Sequence, residues 1–153
     1  MLSTEASALF SRELSEYEKE EIHGYNSVYY VGQGSRKVLA TPSNTRNNHG
    51  YDDDRGDYNV VAGDHILYRY QIMDVLGKGS FGQVLQCLDH GTGQHVAIKI
   101  IRNKNRFHKQ AVVEIKVLDN LRNWVSVLLN QDPPLVLIQK LYRIQTRSTT
   151  SLR

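Results

Sequence analysis

Gly77, Gly79 and Gly82 stand at G-x-G-x-x-G spacing within the run Gly77-Lys78-Gly79-Ser80-Phe81-Gly82-Gln83-Val84. Residues without a Cβ let successive backbone N–H groups close on the oxygens of a phosphate chain. Alone, such a loop equally suits a flexible hairpin with no ligand. A second group follows at Val96-Ala97-Ile98-Lys99. A lone strand lysine ordinarily snorkels to water. This one follows three apolar residues, one strand beyond the loop, within reach of the same phosphates. A partly buried ammonium keeps its proton and position only beside a fixed counter-charge. Glu114 is the candidate, because Ala111, Ile115 and Leu118 flank it at helical spacing and turn it inward. Glu18, Glu20 and Glu21 have no such setting.

These groups need elements to hold them. Tyr70, Ile72, Val75 and Leu76 read as a strand entering the glycine-rich turn, and Val84 to Leu88 as its partner. Asp89-His90-Gly91-Thr92-Gly93 is a strong turn signal, and His95 to Ile101 is a third strand rich in β-branched residues. Phe107, Ala111, Ile115, Leu118 and Leu121 then recur at the spacing of an amphipathic helix. The order β-β-β-α predicts an α+β fold: a small antiparallel sheet with one helix packed on it. It also excludes a dinucleotide-binding turn, which must open a helix and be followed by an acid about 20 residues on. Here the chain turns at Asp89, and the residue at that distance from Gly79 is Lys99, of the wrong sign.

Around this unit the chain divides by composition. Residues 1–38 are acidic and tyrosine-rich at their start, with Leu14, Tyr17, Ile22, Tyr25, Val28, Tyr29 and Tyr30 as anchors. Glu13 to Ile22 suits a short helix, with Ser15 as N-cap and Glu18 completing a capping box. Residues 39–50 read as loop, polar enough for local disorder. Residues 51–69, opening Tyr51-Asp52-Asp53-Asp54-Arg55-Gly56-Asp57-Tyr58, carry Val60 and Val61 besides two tyrosines, which predicts a docked segment. Beyond Trp124 the pattern lapses. The stretch 125–153 has a double proline and a Ser/Thr-rich end, suits no fourth strand, and reads as an unrelated tail from a mis-spliced transcript or alternative exon.

Composition narrows the setting. Of 153 residues 40% are hydrophobic, enough for a modest core, and a net charge of +3 demands no nucleic acid. The basic group at Arg102, Lys104, Arg106 and Lys109 reads as a solvated helix start. Cys87 is the single cysteine, so no internal disulfide forms. No run approaches the roughly 18 apolar residues of a membrane span. An intracellular protein, of cytoplasm or nucleus, with no membrane or nucleic-acid partner is the expectation; oligomeric state is not legible.

Loop, lysine and helix glutamate in this order resemble the N-lobe signature of protein kinases, with Val84 and Ala97 roofing an adenine beside Leu76. Residues 51–58 look like the homology box that precedes the catalytic domain in the dual-specificity tyrosine-regulated kinase (DYRK) family. Arg69-Tyr70, the loop Gly77 to Gln83, and Arg102 to Gln110 are also similar to that family, and Leu14 to Lys37 resembles the accessory region of its second class. The resemblance covers roughly Leu14 to Trp124. It implies a nucleotide site of Leu76, Gly77, Lys78, Gly79, Ser80, Phe81, Gly82, Gln83, Val84, Ala97, Lys99 and Glu114, with ATP as ligand. It implies a division into an accessory region and loop (1–50), homology box (51–69), partial kinase N-lobe with helix C (70–124) and tail (125–153). The full-length family phosphorylates Ser and Thr of protein substrates and Tyr of itself, with magnesium. This sequence holds no His-x-Asp catalytic loop with its Asn, no Asp-Phe-Gly and no Ala-Pro-Glu. Catalytic and metal residues are therefore none, and an inactive fragment is expected. A non-catalytic protein-binding or regulatory module is the alternative.

Overall fold

The computed structural model describes residues 1–129 and 139–141. Three strands form an antiparallel meander: β2 (Tyr70–Gly79), β3 (Gly82–Asp89) and β4 (Gln94–Ile101), with β1 (His65–Ile66) on the outer edge of β2. The turn between β3 and β4 is built on Asp89, whose main-chain carbonyl accepts from Gly93 N–H at 2.7 Å. The long helix α3 (Asn105–Leu129) follows, so the class is α+β.

Strand alternation sorts the sheet into two faces. Leu85, Cys87 and Ile98 are fully buried on one face and share a cluster with Ile66, Tyr70 and Ile72. Tyr58 and Val60 pack against that cluster, so the segment before the sheet covers this face. Lys99 and Ile101 point the other way. Ile101 meets Phe107 and Ala111 there, which attaches α3.

The tail departs from its reading in part. Val125-Ser-Val-Leu-Leu contains neither Gly nor Pro, so nothing local stops the helix at Trp124, and α3 runs on to Leu129. Gln139–Leu141, named here β5, pairs in parallel with β4 at Ile98 to Ile100. That corrects the expectation that no further strand follows. The remainder of 125–153 lies outside the described residues.

The extension has a core of its own. Helix α1 (Ser3–Leu9), absent from the sequence reading, precedes α2 (Glu16–Glu21), which is shorter than the span predicted from Glu13 to Ile22. The capping box at Ser15 is present, with Glu18 N–H donating to Ser15 Oγ at 3.3 Å and Ser15 N–H to Glu18 Oε2 at 2.7 Å. Ala6, Leu14, Ile22, Val28 and Val31 close around Tyr68. Glu18 corrects the sequence reading most sharply. It is 1% exposed and pairs with Lys37 Nζ at 2.8 Å and His65 Nε2 at 2.9 Å. Tyr68 N–H points at His65 Nδ1, which assigns the ring hydrogen to Nε2 and makes that nitrogen the donor to Glu18. Residues 39–50 are likewise placed: Ala40 is buried, and His49 is buried and stacks on Tyr17 at 4.4 Å.

Candidate nucleotide site

The glycine-rich run forms the tip of the β2–β3 hairpin, where Gly79 pairs with Gly82. Gly82 has φ +147, and a Cβ there would run into the Ile100 carbonyl of β4, so the hairpin lies flush on its neighbour only with glycine. Gly77 and Gly79 have nothing within 4 Å of where a Cβ would stand, so the space above their amides is open.

Cross-strand register brings the other residues to this face. Val84 lies opposite Lys99, and Ala97 opposite Gln86. Val84 and Ala97 are half-buried, and Leu76 is exposed. From the helix, Glu114 Oε1 accepts a hydrogen bond from Lys99 Nζ at 2.6 Å. The side chains remain 23% and 37% exposed, so this pair adds little to stability, and its effect is to fix where the ammonium stands. A strand lysine held at one point beside open backbone amides is suited to a polyanion.

Three side chains of the assigned run make contacts away from the open amides. Gln83 is buried on the opposite side, where its amide donates to the Tyr58 carbonyl at 2.7 Å. Lys78 Nζ lies 3.6 Å from Asp57. Phe81 packs edge-on against Phe107 at the start of α3, with centroids 5.4 Å apart.

Asp57 is a residue that sequence reasoning placed only in a docked segment, with no role of its own. Its carboxylate accepts from Arg102 Nε at 2.7 Å and Nη2 at 2.9 Å while remaining 2% exposed. The Arg102 hydrogen bonds outweigh burial and hold the Asp57 carboxyl below its usual range. Asp53 Oδ1 accepts N–H bonds from both Arg55 and Asp57, at 2.9 Å each, and so shapes the turn. Gly56 takes φ +82 there, where a Cβ would come 2.9 Å from the Asn103 carbonyl oxygen. The signal available in sequence was the turn-forming run Asp53-Asp54-Arg55-Gly56-Asp57, with no means of naming the distant arginine.

Among the described residues one group of metal-donor side chains lies within 4.8 Å: Glu18, Asp64 and His65, all buried. The Lys37 ammonium already occupies Glu18 Oε2, which suits a salt-bridge network and leaves no place for a cation. No described helix is long and apolar enough to cross a membrane.

Residues 70–129 match the protein kinase domain family. The chain is 53% identical over 123 residues to the DYRK-family kinase pom1 of Schizosaccharomyces pombe, covering 80% of this chain and 11% of that protein. It is 52% identical over 124 residues to dual specificity tyrosine-phosphorylation-regulated kinase 2 of Drosophila melanogaster, covering 80% and 17%. To human dual specificity tyrosine-phosphorylation-regulated kinase 4 the figures are 46% over 122 residues, 80% and 23%. The fold and this match define the first part of a protein kinase domain, its N-lobe. With the flanking residues included, the chain belongs to the DYRK kinase family. It spans less than a quarter of the length of these three curated relatives.

Proposed function

We propose that the hairpin and the Lys99–Glu114 pair form the upper half of an ATP cleft, whose whole-protein activity is transfer of the γ-phosphate to Ser, Thr and Tyr hydroxyls of proteins. The 2.6 Å contact between Lys99 and Glu114 carries this reading. Lys99 presents its charge to the phosphate chain, Glu114 fixes it, and the amides of residues 77–82 bond the oxygens. Val84 and Ala97 offer apolar surface to the base. ATP supplies the phosphoryl group. Glu114 already pairs with Lys99, so it is not assigned to the magnesium that the family's whole domain uses. We extend the proposal to the boundaries given above, with 51–69 a homology box that docks behind the hairpin.

A fluorescent ATP analogue titrated into the chain tests the site. Binding is expected to be weak, because this half of a cleft offers no strand to the adenine edge, and Lys99→Ala should abolish it. Micromolar or tighter binding indifferent to Lys99→Ala overturns the assignment. Neither form should transfer labelled γ-phosphate, for the chain has no base and no metal-ligating motif. A second reading is a non-catalytic module whose extension, which has a core of its own, docks a protein. Labelling that disappears in Lys99→Ala excludes it.

A further inference from the structure

The hairpin is tied to more than its sheet partners, and each tie leads to one place. Arg102 follows β4 directly. Its N–H donates to the Phe81 carbonyl at the hairpin tip at 2.9 Å, and its guanidinium spans both Asp57 oxygens. Asp57 also faces Lys78 on the opposite limb of the hairpin at 3.6 Å. The next residue, Tyr58, receives Gln83 through its carbonyl. Asn103 locks the far side of the turn: its N–H donates to the Gly56 carbonyl at 2.7 Å and its Nδ2 to Asp52 at 2.8 Å. Two residues later α3 begins, carrying Glu114. One buried carboxylate therefore joins the β2 limb of the hairpin to the connection that launches the helix, and the next residue's carbonyl holds the β3 limb.

We propose that Asp57 is a positioning residue: through Arg102 and Lys78 it fixes the glycine-rich hairpin relative to α3, and so sets the distance between the hairpin amides and the Lys99 ammonium. Asp57 touches no ligand. Its leverage comes from geometry, since a guanidinium forked on a carboxylate resists rotation as a single-point contact does not. The consequence for phosphate binding rests on the nucleotide reading above; the mechanical tie does not.

Hydrogen exchange on the free 153-residue chain tests the tie. Asp57→Asn keeps the shape and removes the charge. It should raise exchange about tenfold at the Arg102 amide and in residues 79–84, while the amides of Leu85, Cys87 and Ile98 stay protected. Arg102→Lys, which keeps charge but cannot span both oxygens, should give a smaller rise in the same segments. Unchanged exchange in both variants overturns the proposal, as does an equal rise throughout β2, β3 and β4, the mark of general destabilisation. Where the wild-type chain binds the ATP analogue, Asp57→Asn should weaken it about tenfold and the matching nucleoside much less, because the phosphates meet the hairpin tip while the base rests mainly on the sheet behind it. Equal weakening of both overturns the positioning role. If the wild-type chain binds neither, the nucleotide reading fails and the exchange pattern alone decides the tie.

Discussion

Lys37 Nζ stands 2.8 Å from Glu18 Oε2, with both side chains under 10% exposed, so the extension contains a buried ion pair that bridges α2 to the irregular segment after Val31. Lys37 also donates to the Val31 carbonyl at 2.8 Å, and His65 satisfies the other Glu18 oxygen. Glu18→Ala leaves the Lys37 ammonium buried without its anion. Loss of about 3 kcal/mol is expected, a large share of a small domain's stability. Urea unfolding followed by circular dichroism measures it. A midpoint unchanged from wild type would show that the pair is dispensable.

Acid should act on the same carboxylate. Burial pushes the Glu18 carboxyl up, but His65 and Lys37 together bring it from 4.5 down to about 2. A depressed folded value means stability that is present above the unfolded value and lost as pH falls through the folded one. Wild type should therefore lose stability between about pH 4.5 and 2, and Glu18→Gln, already weaker, should decline less steeply across that window. Parallel curves for the two proteins would contradict the assignment.

Asp89 has a different cause for a similar value. Two hydrogen bonds from Arg69, both 2.7 Å, hold its carboxyl at about 2, aided by N–H of Gly91 and the Thr92 hydroxyl against the effect of burial. The contribution again lies above the ordinary value of 3.8 and fades toward pH 2. Asp89→Asn removes it at neutral pH and loosens the β3–β4 turn, at a cost of about 2 kcal/mol. Thermal melts at pH 7 and pH 2.5 should differ less for the variant than for wild type.

Gly82→Ala sets a Cβ against the β4 backbone at a φ that side chains avoid. A loss of more than about 1 kcal/mol follows. Gly24→Ala, with nothing within 4 Å and an ordinary φ, is the matched control and should be near neutral. Equal melting temperatures for the two would mean that the hairpin shifts away from β4 at no cost.

Deleting residues 1–60 uncovers Leu85, Cys87 and Ile98 by removing Tyr58 and Val60 and takes Asp57 from Arg102. Such a variant should be less soluble and unfold less cooperatively. A deletion variant as soluble and as cooperative as the whole chain would show that the extension does not support the sheet.

The Ser15–Glu18 capping box, the β-β-β-α order, and the place of Lys99 one strand beyond the glycine-rich loop were all legible, because each depends on residues near in sequence or on strand alternation. Glu114 was legible as an inward carboxylate because its flanking apolar residues share its helix face. Helix α1 was missed: Ser3–Leu9 is too short to show a period, and its burial of Ala6 depends on Ile22 and Val28. The end of α3 was misplaced by five residues, since a lapse in family resemblance is not a helix stop.

The chemical types at the site and the elements that carry them were set by local pattern: glycine where side chains cannot fit, a lysine after three apolar residues, a glutamate on an apolar stripe. Which distant charges meet was settled only by the folded chain. Glu18 with Lys37, Asp57 with Arg102 and Asp89 with Arg69 lie 19, 45 and 20 positions apart, and each acid looks like a surface carboxylate in sequence. A charge is stable in the interior only when its partner arrives from another segment. That arrival depends on how the extension wraps the back of the sheet, a geometry no local window contains.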